Sequence, residues 1–294
     1  MDACEILLSP DESTRNTIVN VLSEAALEKA VKGFKDWLKD EPDVPNSVDE
    51  QFIRNIITYS QFDLALAKQK FEEYLQYRTK HEAYVSSRKF SDDYIDDLSL
   101  HRQLILIPRH LPGGYKIVYV RFLPDIDQFD FKKLLNFLYF YVDFLLCEQF
   151  CSGYIGLYDL EHFKLEHLEK VDIKRFIDVF QFIYNLQFFP IKAIHFINVP
   201  PTVPEHIIKL VKQLDNGRLA GKTYFHKSLD ELKEYIPNGV LPKQYGGNGD
   251  DLDELSENFQ KYLVREKNWR RKVDNLKYTG PLPQTDYGVY GLNE

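Results

Sequence analysis

Few residues in this chain have the types and spacing that catalysis or metal binding needs. His195 stands in the apolar run "AIHFINV" and could act as a general base, but no nucleophile is suggested near it, and a hydrogen-bonded core histidine is the favoured reading. His162 and His167 are five residues apart, a spacing that shares a helix face poorly, so solvent or structural roles are expected rather than metal ligation. Cys147 and Cys151 are four apart on an expected helix and so fall on one face, where buried apolar roles are favoured over a metal site. Asp159, ending "GLYD", is placed to cap a turn at the carboxyl end of a strand. Between strands and helices there is no GxGxxG, and the chain holds no GxxxxGKS/T, GxSxG or HExxH. No catalytic residue, metal ligand or cofactor is assigned, and the expectation is a protein that is not an enzyme.

The elements that would position these residues fall into two textures. From Ser13 to about Tyr84 the periodicity is helical, with stripes at Ile18, Val21, Leu22 and Ala25 and then at Phe62, Leu66, Phe71 and Leu75, broken by the turn-prone "DEPDVPNS". Beyond "SSRKFSDDYIDD", the short runs "KIVYVRF", "GYIGLYDL" and "AIHFINV" alternate with helical segments at 131–150, 171–188 and 204–215. That alternation predicts a mostly parallel sheet with crossover helices. An acidic helix then leads through "NWRRKV" into an irregular tail rich in proline and glycine. The expected division is a helical domain over 1–90, an α/β domain over 91–250, and a C-terminal helix and tail over 251–294.

With 294 residues, 44% of them hydrophobic, the chain can bury a sizeable core. Its formal net charge of -8 argues against nucleic acid and against a general affinity for anionic surfaces, so any such binding must be local. The odd count of three cysteines, with no Cys-x-x-Cys, and a start "MDACEILLSP" lacking basic and apolar leader regions point to a reduced, cytoplasmic protein. The most apolar run, "LLNFLYFYVDFLLCEQF", carries Asn136, Asp143 and Glu148 and is too short to span a bilayer, so it is a core helix. Aromatics reach 14% and crowd between Phe122 and Phe196. Rings facing a loosely covered sheet would line a pocket for an apolar ligand, although Tyr158 could equally be ordinary core and for Phe182 ordinary core is the favoured reading.

Three stretches, "GYIGLYDLEHF", "FFPIKAIHFINVPP" and "HKSLDELKEYIPNGVLPKQYGG", together resemble the central segments of the CRAL-TRIO lipid-binding family, in its tocopherol-transfer and retinaldehyde-binding branch. The ordered set Gly-x-x-x-x-x-Asp-Leu, Pro-x-x-x-x-His-x-x-Asn-x-Pro and Leu-Pro-x-x-x-Gly-Gly carries the likeness. It implies a helical N-terminal domain followed by a lipid-binding α/β domain whose hydrophobic pocket is closed by a mobile lid helix, here Val203 to Leu214, opened by Pro200, Pro201 and Pro204. By the same resemblance the ligand-binding positions are Val120, Phe140, Tyr154, Tyr158, Phe189, Ile191, Ile194, Val203, Ile207 and Val211. The tyrosine hydroxyls would be the polar contacts. Lys192, Arg218 and Lys222 match positions that read phosphoinositide head groups, whereas Thr58 and Ser60 stand where the family has arginines, and Gln244 replaces an acid.

The resemblance thus implies an intracellular, monomeric carrier of one tocopherol-, retinoid- or terpenoid-like lipid, exchanging it with membranes as a cytoplasmic protein with peripheral membrane association. The alternative is a phosphoinositide-binding trafficking or signalling adaptor with a vestigial pocket.

Overall fold

The computed structural model describes residues 24–81, 96–111, 113–147, 151–186, 190–201, 203, 219–265, 273 and 276–283. Helices α1 (Glu24–Asp40), α2 (Glu50–Tyr59) and α3 (Leu64–Lys80) come first. Asp49 caps α2 by accepting from the Gln51 and Phe52 N–H groups, and Asp63 caps α3 by accepting from that of Leu66. Starting α3 at Leu64 buries Ala67, Phe71, Tyr74 and Leu75 on one stripe. Leu66, expected on that stripe, is instead 36% exposed, because the five-residue step to Phe71 places it about 140° round the helix from that ring.

Helix α4 (Leu98–Gln103) runs directly into β1 (Leu104–Leu111), which is antiparallel to β2 (Tyr115–Arg121). After β2 come α5 (Phe131–Cys147), β3 (Gly153–Asp159), α6 (Leu165–Glu169), α7 (Ile173–Leu186) and β4 (Ile191–Ile197). The chain continues with β5 (Thr223–Phe225), α8 (Leu229–Lys233), a tight turn at Lys243–Tyr245, and α9 (Leu252–Arg265). The sheet runs β1-β2-β3-β4-β5, with β2 to β5 parallel, as the alternation of strands and helices predicted.

Period-2 alternation gives the sheet two faces. Ile117, Tyr119, Ile155, Leu157 and Ile197 pack against Leu232, Ile236, Leu241 and Leu252 from the C-terminal segment. On the opposite face Val118, Val120 and Tyr154 join a core shared with α5 and the N-terminal helices, while Tyr158, Ile194 and Phe196 belong to a smaller cluster with Phe163 and Phe180. A buried polar network crosses the larger core. The Arg78 guanidinium pairs with Asp143, whose other oxygen accepts from the Tyr74 hydroxyl at 2.5 Å, and Arg78 also donates to the carbonyls of Val273 and Leu276.

The two cysteines do not share a helix face. Helix α5 ends at Cys147, and Cys151 lies just before β3, where its thiol donates to the Gly153 carbonyl at 3.6 Å. The chain must turn here to start β3, and Gly153 permits it: φ is +150°, and a Cβ would lie 2.4 Å from the Pro190 oxygen. Neither is in a disulfide and both are buried, as expected of apolar residues. Among the described residues no helix is long and apolar enough to cross a membrane.

Candidate functional site

Strand register assembles the site row by row. Val120 pairs with Tyr158, Tyr158 with Phe196 and Phe196 with Phe225, so one residue from each of four parallel strands stands on the same face. The next row is Val118, Gly156, Ile194 and Thr223. The rings of Tyr158 and Phe196 lie 5.1 Å apart, and Phe196 stacks on Phe225 at 5.1 Å with 12° between planes, giving a continuous aromatic shelf. Gly156 makes room for it. The Tyr158 ring folds back along β3, and a Cβ on Gly156 would stand 2.8 Å from its Cε2. Leu160, Val203 and Leu219 complete the cluster, all buried.

Tyr158 is half-buried, and its hydroxyl makes no hydrogen bond among the described residues. Removal from water pushes that hydroxyl up to about 12, so it remains a neutral donor across the physiological range. Tyr154 differs. It is buried, burial holds its hydroxyl well above the ordinary phenol range, and that hydroxyl is bonded to Cys151 close to Tyr59. Phe140 is 1% exposed and stacks on Phe137 at 5.6 Å within the larger core. Ile191 is half-buried, and Ile194 and Val203 are buried in the shelf cluster. Phe189, Ile207, Val211 and Arg218 lie outside the described residues. Phe182, weighed as a pocket ring, stacks on Tyr77 at 3.4 Å and belongs to the larger core.

Lys192 and Lys222 lie toward the same end of the sheet. The pairing of Ile194 with Thr223 puts both at the amino-terminal end of neighbouring parallel strands, both are exposed, and Lys192 lies over the Tyr115 ring at 5.6 Å. Thr58 and Ser60 help to end α2, Thr58 by donating to the Arg54 carbonyl at 2.7 Å and Ser60 as its buried C-cap. Neither supplies positive charge.

The residues first weighed for chemistry take structural places. His195 is 2% exposed, with its Nδ1 2.8 Å from Nε2 of His226, and burial followed by the His226 ring lowers it to about 4. His167 Nδ1 accepts from the Lys164 N–H at 3.0 Å, and its ring packs among Phe122, Phe129 and Phe163. Asp159 does cap its turn, accepting from the Glu161 N–H at 2.9 Å. It also accepts from Asn198, Tyr119 and Tyr245. Asp159, Glu161, Asn198 and Tyr245 line a cleft of about 490 Å³ at the carboxyl ends of β2, β3 and β4. Much of its polar lining is committed within the protein, Arg121 to Asp253 and the Arg102 carbonyl, Gln244 to Asp251 and the Leu252 N–H. Gln244 therefore bonds to the first turn of α9 where an acid was expected.

Residues 105–247 match the family model described as the CRAL/TRIO domain. The chain carries a CRAL/TRIO domain. The matched residues take in the whole parallel sheet, the aromatic shelf and the Asp159 network. "Alpha-tocopherol transfer protein-like" of Homo sapiens is 24% identical over 238 residues, covering 78% of this chain and 67% of that protein. The proteins of the same description from Pongo abelii and Mus musculus match with the same identity and coverage. The solved structure "Crystal structure of Sfh5" aligns at 14% identity with a TM-score of 0.48, over 92% of this chain and 96% of that one.

Phe196 and Phe225 were not foreseen as site residues. Phe196 had a signal, since it stands two residues after Ile194 in an alternating strand. Phe225 had none, because β5 is three residues long and too short to show a period.

Proposed function

We propose that the CRAL/TRIO domain binds one hydrophobic small molecule against the Tyr158–Phe196–Phe225 shelf and exchanges it with membranes, as an intracellular carrier of a tocopherol-, retinoid- or terpenoid-like lipid. The state of Tyr158 carries this reading. A ring that keeps accessible surface while its hydroxyl is strongly desolvated and unbonded borders an apolar space rather than bulk water or solid core. Val120, Ile191, Ile194 and Val203 supply the apolar wall around it. The Tyr158 hydroxyl meets the single polar end of the ligand, and Phe140 and Tyr154 support the wall from the core behind. Phe189, Ile207 and Val211 belong to the closure over the ligand on this reading. Lys192, Arg218 and Lys222 give the protein a local basic contact with anionic membranes, and no bond chemistry is assigned.

The exposed Lys192 and Lys222, at the same end of adjacent strands, favour a second reading, an adaptor that uses a phosphoinositide contact and leaves the pocket empty. Mass spectrometry of an organic extract from protein purified without detergent separates the two. A carrier yields one apolar compound in stoichiometric amount, whereas protein that is empty and still binds phosphoinositide vesicles is the adaptor.

A further inference from the structure

The buried histidines lie behind the shelf. Residues alternate across a strand, so His195 and Phe196 point to opposite faces of β4, and His226 directly follows Phe225. Strand β4 and the edge strand β5 are therefore joined twice by side chains, by Phe196 on Phe225 on the shelf side and by His195 Nδ1 to His226 Nε2 at 2.8 Å on the other. The His226 N–H also donates to the Phe196 carbonyl at 2.9 Å. A contact of 2.8 Å between two ring nitrogens needs one of them to donate a proton and the other to offer a lone pair. If both rings are cationic, both facing nitrogens carry hydrogen and the contact becomes repulsive.

We propose that the His195–His226 pair is a proton-operated latch on the β4–β5 edge, closed at neutral pH by one bridging proton and opened in acid, when protons from solution occupy both facing nitrogens, part the strands and draw Phe225 away from Phe196. The surroundings oppose charge on His195. Leu157 of β3 pairs beside it, and the rings of Tyr224 on β5 and Tyr235 beyond α8 pack against it at 5.0 and 5.2 Å. His226 also faces Tyr235, at 5.3 Å, and burial lowers it as well, against the opposing pull of Glu231 on α8 and Glu234 after it. Glu231 accepts from the Lys227 N–H at 2.8 Å, so its carboxylate is already engaged. Edge strand β5 has three residues and, among the described residues, one strand neighbour, so its pairing is short. That parting would release a ligand rests on the function proposed above, whereas the latch itself does not.

The test is amide hydrogen exchange of the ligand-free full chain at pH 7.0 and 4.5, expressed as protection factors so that the intrinsic pH dependence of exchange cancels. The latch predicts that protection at Tyr224, Phe225 and His226 falls at least 10-fold relative to Leu157 on acidification, and that the H195F/H226F double variant, which keeps two rings without the shared proton, shows no such fall. Unchanged protection in the wild type, or an equal loss in both proteins, overturns the proposal. Should the double variant not fold, imidazole nitrogen titration of the wild type decides. Two rings still neutral at pH 6 support the latch, and ordinary titration near 6.5 by both rings overturns it.

Discussion

Tyr158 and Gly156 are the residues on which the site turns. The Tyr158 hydroxyl has no partner among the described residues, so Tyr158→Phe should leave the melting temperature unchanged. It should weaken a lipid bearing a hydroxyl or carbonyl by about 5-fold, the worth of roughly one hydrogen bond near 1 kcal/mol. Fluorescence titration alongside a melting curve checks both. Gly156→Ala places a methyl 2.8 Å from the Tyr158 ring and must tilt it off the shelf; the expected result is a larger loss of lipid affinity than Tyr158→Phe gives. His195 adds a pH dependence. Its folded value, about 4, lies below the ordinary 6.5, so its contribution to stability is complete above about pH 6.5 and is lost as pH falls toward 4, at most about 3 kcal/mol. Urea unfolding at pH 7 and 4.5 measures it. Tyr158 and Ile194 were expected from the family resemblance, and β3 and β4 are long enough to alternate, so the register puts both on one face. The partnership of His195 with His226 could not be read from the sequence, because it joins residues 31 apart through strand pairing.

The elements differ in how plainly the sequence announces them. Strands β2, β3 and β4 showed period-2 runs, but β1 did not. Its "LILIPRHL" contains Pro108, which breaks the ladder and is tolerated because β1 is an edge strand, and the pairing slips between Ile107 and Leu111. Helix α5 was clear from its apolar run. Periodicity also could not show that Arg78 of α3 reaches Asp143 of α5. Burial alone would disfavour charge on the guanidinium, but Asp143 and Tyr74 more than offset this and hold Arg78 charged. Asp143→Ala leaves that cation buried and unpaired and should cost about 3 to 5 kcal/mol. Chemical denaturation gives the value. The same variant should speed proteolysis near residue 276, since Arg78 holds the carbonyls of Val273 and Leu276.

For the whole molecule, charge limits how a membrane can be met. At a net charge of -8, attraction to an anionic bilayer must come from a cluster acting within about 8 Å at physiological ionic strength. Lys192→Glu with Lys222→Glu should therefore reduce sedimentation with anionic vesicles several-fold at low salt, have little effect at high salt, and leave lipid affinity in detergent intact. Equal sedimentation of variant and wild type at low salt would assign these lysines to the ordinary surface. The carrier proposal joins this basic contact to the shelf, and movement of lipid between membranes requires both. The most direct measurement is transfer of a fluorescent tocopherol analogue from donor to acceptor vesicles, followed by loss of quenching with and without the protein. The account predicts protein-dependent transfer that is slowed by Gly156→Ala and by the double lysine reversal; transfer no faster than the spontaneous rate would contradict it.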